Sequence, residues 1–262
     1  MKKILRIAFM VGLLISVAVL TGFINHSILE EKCTAIDIDI TDQERYGFIS
    51  EGDITDLLNS DFNTPVSQKI RDINTFEIEK TLGAHHAVQN AEVYLSIDGK
   101  LHIKIWQRKP ILRVFNKKGS FYIDEYGKIM PVTKKFTAHV AVASGHINIP
   151  TNEIQQFQRD HISDKQLDTS LYNDLFELAK FIESNPLWNA QIEQLYVNKD
   201  SEFELIPRVG NHTIVIGEVH DLESKFKKLQ LFYTKGLSKT GWNEYKEINL
   251  KFKNQVVCTK RY

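Results

Sequence analysis

The chain has 262 residues, in which 33 Lys and Arg balance 33 Asp and Glu, and 42% of residues are apolar. That length fits one large or two small domains, and two small ones suit the pattern below best. The zero formal charge gives no electrostatic case for a nucleic-acid partner, which would show a basic face.

Residues 4–24 are almost continuously apolar, broken only by Arg6, Ser16, Thr21 and two glycines. As a helix this stretch spans roughly 30 Å, the thickness of a bilayer core. Lys2, Lys3 and Arg6 precede or open it and Glu30 and Glu31 follow it, so the positive-inside rule places residues 1–3 in the cytoplasm and everything after the span outside. A cleaved signal peptide would have a shorter apolar region and an A-x-A-like site, whereas the exit here reads Thr21-Gly22-Phe23-Ile24-Asn25-His26. The expectation is a single retained transmembrane helix with the bulk of the chain in the periplasm.

A polar stem, residues 25–34, leads into Ala35-Ile36-Asp37-Ile38-Asp39-Ile40, whose period of two predicts a half-buried strand. Ser50 with Asp53 is an N-capping pair ahead of Ile54, Leu57 and Leu58, and predicts a helix. A second helix is predicted from Ile73, Phe76 and Leu82, with Gly83 as its stop and Asn74-Thr75 weakening its first turn. Residues 91–97 and 101–106 flank Asp98-Gly99-Lys100, a hairpin signature. The order β-α-α-β-β over residues 35–107 suffices for one small α+β module.

From Ile111 the texture changes to short strands: residues 111–115, 121–124 and 128–132, the last carrying Pro131. Leu171, Leu175, Leu178 and Ile182 recur at helical spacing and stop before Asn185-Pro186. Strands are predicted again at 192–197, 203–206 and 213–216, then a helix on Leu222, Phe226, Leu229 and Tyr233. A closing hairpin is predicted at 247–252 and 255–260. The fold class expected is α+β: one N-terminal transmembrane helix, the small module, then a mostly antiparallel β domain with two helices over residues 108–262. With only Cys33 and Cys258, the fold is not a disulfide scaffold, and no bridge between them is expected.

Chemical motifs lose to plainer readings. Ser224-Lys225-Phe226-Lys227 and Lys239-Thr240-Gly241 match fragments of the penicillin-interacting enzymes, but about a dozen residues separate elements that need a transpeptidase-sized fold between them. An amphipathic helix with lysines on its wet face is the better reading. His85-His86 are adjacent, whereas helical chelation needs a spacing of three or four, and His139 with His146 lacks further ligands at a recognised spacing. Asp124-Glu125-Tyr126-Gly127 reads as a polar turn, because neighbouring carboxylates on a strand point to opposite faces. No cofactor, metal or small-molecule substrate is expected, and catalysis is not.

Several passages, in order, resemble the FtsQ/DivIB family. Ile78-Glu79-Lys80-Thr81-Leu82 with Ala87-Val88-Gln89-Asn90-Ala91-Glu92-Val93 is similar to the family's passage from the second POTRA helix into a strand. Leu101-His102-Ile103-Lys104-Ile105 and Gln107-Arg108-Lys109-Pro110-Ile111-Leu112 resemble its following strand and domain junction. Residues 121–129 are similar to the hairpin that opens its β domain, and Val140-Ala141-Val142-Ala143-Ser144-Gly145 to a later segment. Residues 245–252 with Gln255-Val256-Val257 resemble its closing hairpin, although Lys109 and Lys251 stand where Glu and Arg are usual.

The resemblance implies a POTRA domain plus β domain on a membrane anchor, acting as a non-catalytic scaffold of the bacterial divisome at the septum. The partners it implies are FtsB, FtsL, FtsW, FtsI and FtsK. It also implies that the closing hairpin is the main partner-binding edge, with Tyr245, Ile248, Leu250, Phe252, Val256 and Val257 as the candidate binding residues. The alternative is a membrane-anchored cell-envelope hydrolase or transpeptidase.

Overall fold

The computed structural model describes residues 9–16, 31–117, 119–149 and 170–261, and the chain divides into two compact units, 1–107 and 108–262. Residues 9–16 are helical with every side chain exposed. Among the described residues no helix is long and apolar enough to cross a membrane. The remainder of the predicted span, residues 4–8 and 17–24, lies outside the described residues.

In the first unit the acid-apolar alternation becomes strand β1, Ala35–Thr41. Residues 31–34 already belong to this unit, for Cys33 is buried and exchanges backbone hydrogen bonds with Ser67 and Gln68. Ser50 and Asp53 form a reciprocal capping box that opens α1, Glu51–Asp61. Its buried face is Ile54 and Leu58, whereas Leu57 is only half-buried. Helix α2, Thr75–Gly83, is capped by Asn74, whose side chain accepts from the Glu77 N–H. The Asn that weakens a helix interior therefore starts this one. Ile78 and Leu82 face its core, while Phe76 is 71% exposed and does not belong to that face.

Strands β2, Val88–Leu95, and β3, Lys100–Gln107, form the hairpin, with Gly99 at φ 77° in its turn. The sheet order is β1-β3-β2, with β1 parallel and β2 antiparallel to β3. Leu101, Ile103 and Ile105 of the central strand are fully buried and Ala91 and Val93 of β2 join them.

The second unit is a nine-stranded mixed sheet. Its strands are β4 (Pro110–Asn116), β5 (Gly119–Asp124), β6 (Ile129–Pro131), β7 (Ala141–Gly145), β8 (Ile192–Val197), β9 (Phe203–Pro207), β10 (Thr213–Gly217), β11 (Tyr245–Asn249) and β12 (Val257–Lys260). They lie in the order β12-β11-β10-β9-β8-β7-β4-β5-β6. Most pairings are antiparallel as expected, but β4 with β7, β7 with β8 and β10 with β11 are parallel. Parallel neighbours need long crossovers. The predicted helices supply two of these: α3, Ser170–Glu183, lies between β7 and β8, and α5, Leu222–Phe232, between β10 and β11.

A third helix, α4, Pro186–Gln191, has Asn185 as its N-cap. Asn185-Pro186 thus stops one helix and starts another, a dual role that the stop signal alone does not show. Leu175, Leu178, Ile182, Trp188, Phe226 and Leu229 pack with Leu112, Val114, Leu195, Val197, Leu205 and Ile214 in one continuous core. Gly145 ends β7 at φ 105°, where a Cβ would lie 2.3 Å from the carbonyl oxygen of its β8 partner Val197, so this close backbone approach demands glycine.

Candidate partner-binding edge

Four strands lie at sheet edges: β1, β2, β6 and β12. An edge strand presents unpaired N–H and C=O groups unless something covers them. On β2 the Val93 N–H donates to the Glu79 carboxylate at 3.1 Å, so a side chain from α2 occupies the middle of that edge. β6 is three residues long and contains Pro131. β1 is covered at its start, where Cys33 bonds the 67–68 segment. β12 is different, since among the described residues nothing bonds its outer side.

The direction of its backbone groups follows from two bonds. The Leu250 N–H donates to Val215 O, which turns Ile248 and Leu250 toward β10, and the Arg261 N–H donates to the carbonyl of Glu244, just before β11. Strand groups alternate in direction. Val257 and Thr259 therefore face β11, opposite Asn249 and Glu247, while Cys258 and Lys260 aim their N–H and C=O outward.

The six candidate residues divide accordingly. Ile248 and Leu250 are fully buried in the core, so they can serve a partner only by holding the backbone ladder in place. Tyr245 is half-buried with its ring 5.6 Å from Phe232, and Val256 packs partly against the core. Phe252 and Val257 are 45% and 42% exposed and are the apolar side chains open to a partner. Around them Lys246, Lys253, Lys260 and Arg261 are all exposed, giving a cationic rim.

Sequence reasoning missed what fixes this hairpin. Lys228 of α5 donates to the carbonyls of Leu250, at 3.1 Å, and Phe252, at 2.6 Å, while Lys251 pairs with Glu202. Isolated lysines on an amphipathic helix carry no signal for such a role. Lys225 departs further from the wet-face expectation: it is buried and donates to the Glu218 carbonyl at 2.8 Å, and burial lowers its ammonium from the ordinary value. Ser224 and Lys227 are exposed on α5.

At the hairpin's base, His212 is buried with Nε2 2.9 Å from the Tyr233 hydroxyl, and Nδ1 faces the Trp242 carbonyl without a well-formed bond. Burial lowers the imidazole below its ordinary value and raises the Tyr233 phenol. The unfolded chain protonates His212 near its ordinary value of about 6.5, while the folded chain resists protonation. Its contribution to stability is thus present above that value and is lost as pH falls through the lower folded one. Thermal unfolding followed from pH 7 to 5 should show a falling Tm, and the fall should be shallower in H212Q.

The first unit contains a geometry that tests the hydrolase reading. His102 Nδ1 lies 3.0 Å from Asp37 Oδ2 and its Nε2 lies 3.1 Å from Ser96 Oγ. The same hydroxyl bonds the Asp98 carboxylate and the Lys100 carbonyl, and this hydroxyl bond with the Lys100 ammonium holds Asp98 down to about 2. A hydroxyl has one proton, and the carboxylate is its strongest acceptor. The serine proton is therefore held by Asp98 and not by the imidazole, which is the reverse of an activated nucleophile. Asp124 is likewise structural: it pairs with Arg108 at 2.8 Å and accepts from the Tyr126 and Lys128 N–H groups, building the turn. The His85 and His86 rings lie tilted at 31° with centroids 4.2 Å apart, and among the described residues no group of His, Cys, Asp or Glu is arranged to hold a metal. Cys33 and Cys258 are free thiols.

Compared with known proteins, residues 109–259 match the family model described as FtsQ/DivIB, C-terminal related, and residues 31–106 match one described as a POTRA-like domain. No curated protein matches the chain.

Proposed function

Because this chain belongs to the FtsQ/DivIB family, a family of cell-division scaffolds, we propose that it is a membrane-anchored member of the divisome that recruits its partners by strand addition at β12. The observation that carries this reading is the open outer side of β12, on a hairpin pinned from behind by Lys228. A partner segment pairing there satisfies the outward groups of Cys258 and Lys260 and covers Val257 and Phe252. The cationic rim favours a segment flanked by acidic residues. The partners proposed are of the FtsB and FtsL type at this edge, with FtsW, FtsI and FtsK in the wider assembly.

The anchor proposed is residues 4–24, in the inner membrane, with residues 1–3 in the cytoplasm and both units in the periplasm. The apolar length and the flanking charges support it, as does the exposure of Phe9, Met10, Val11, Leu13, Leu14 and Ile15 on the described helical segment. Co-purification of the full-length protein from membranes tests the proposal. FtsB- and FtsL-type proteins should accompany it, and a C-terminal phosphatase fusion should be active. Recovery of a soluble mature chain starting near Asn25, without those partners, would overturn it.

A further inference from the structure

The helical layer of the second unit carries an open groove of about 520 Å3 between α3 and the first turn of α5. Phe176, Phe181 and Leu222 line its apolar part, and Glu177, Asp221 and Glu223 its polar part together with Asn173 and one cation, Lys180. The floor is firm, because Leu222 is buried and the Phe181 ring meets Phe226 at a 43° tilt with centroids 4.8 Å apart, against the main core.

The rim is acidic beyond what the neutral chain would spread evenly. Asp174 stands near Glu177 and Glu218, the latter 3.6 Å from His220 Nδ1, and burial with those two carboxylates raises the Asp174 carboxyl above its ordinary value. Local cations answer this charge only in part. Lys180 lies over the Phe176 ring at 5.3 Å, and Lys225 directs its ammonium to the Glu218 carbonyl. Among the described residues Glu177, Asp221 and Glu223 are in no ion pair. Asp221 occupies the N-cap position of α5 in a left-handed conformation, yet its carboxylate does not cap the helix.

We infer that this groove is a second protein-docking site, separate from β12, which takes a basic amphipathic segment of a partner. The apolar side chains of the segment seat on Phe176 and Phe181, and its Lys or Arg residues reach the acidic rim. An open groove covers too little of a small molecule to hold it tightly, whereas a helix laid between two helices meets both floor and rim. The inference does not depend on the division reading, since it rests on groove shape and charge alone.

The test uses the full-length protein in zwitterionic nanodiscs and a photoreactive 12-residue peptide of Leu and Lys, beside its Leu and Glu counterpart. The basic peptide should bind, cross-link to α3 and the start of α5, and weaken about tenfold against a Glu177→Lys, Glu223→Lys variant. A Glu177→Gln, Glu223→Gln variant, which keeps the size of both side chains, should weaken it by a smaller factor. Equal binding of the acidic peptide, cross-links elsewhere, or unchanged affinity in variants that keep the parent's thermal transition would each overturn the proposal.

Discussion

Replacing Cys258 with proline should lower partner affinity by about a hundredfold or more while both units stay folded, whereas Thr259→Pro should unfold the closing hairpin. The contrast arises from one strand's alternation. At Cys258 the N–H points outward, so the proline breaks no bond to β11 and removes the donor that a partner would use, together with a half-buried side chain that packs partly against the core. At Thr259 the N–H faces Glu247 on β11. Proline there breaks a ladder bond and leaves an acceptor unpaired, which costs about 2–3 kcal/mol. Binding measured by titration with an FtsB-type segment, alongside thermal unfolding, separates the two outcomes. Parent-like binding by a folded Cys258→Pro protein would exclude β12 and turn attention to β1.

The second large effect concerns the POTRA-like unit. Leu58→Ala and Leu82→Ala should each cost about 2–5 kcal/mol, because both side chains are fully buried and truncation leaves a cavity. Leu57→Ala should cost about 1 kcal/mol or less, since that side chain already meets solvent. Denaturant unfolding of the full-length protein distinguishes them, provided the first unit's transition is followed separately. Equal effects at Leu57 and Leu58 would contradict the helix face described here.

These two cases also mark where the sequence is legible. Local chemistry reads well: the Ser50 and Asp53 capping box, the Asp98-Gly99 turn, and the Leu171, Leu175, Leu178, Ile182 stripe all depend on neighbours within a few residues. A helical stripe, however, resolves its centre to about one residue, so Leu57 and Leu58 cannot be ranked from period alone. Phe76 shows a different limit: standing two residues before Ile78 and six before Leu82, it lies about 160° and 120° round the helix from them and so off their face.

What stays hidden is set by distant partners. The parallel pairing of β10 with β11 is decided across α5, and no local pattern announces it. It is also what buries Ile248 and Leu250. The pinning of the hairpin by Lys228 and the sealing of the β2 edge by Glu79 each rest on one side chain meeting backbone from another element. For the candidate site, the hairpin itself is readable, but which of its residues face a partner depends on strand direction and thus on the sheet it joins.

The central claim is that β12 is the docking edge, and amide-resolved hydrogen exchange of the intact protein with and without an FtsB-type segment tests it most directly. The amides of Cys258 and Lys260, which point outward, should exchange freely alone and become protected on binding, while those of Val257 and Thr259 should be protected in both states. Unchanged exchange at Cys258 and Lys260 together with new protection along β1 would contradict the claim and place the edge in the POTRA-like unit.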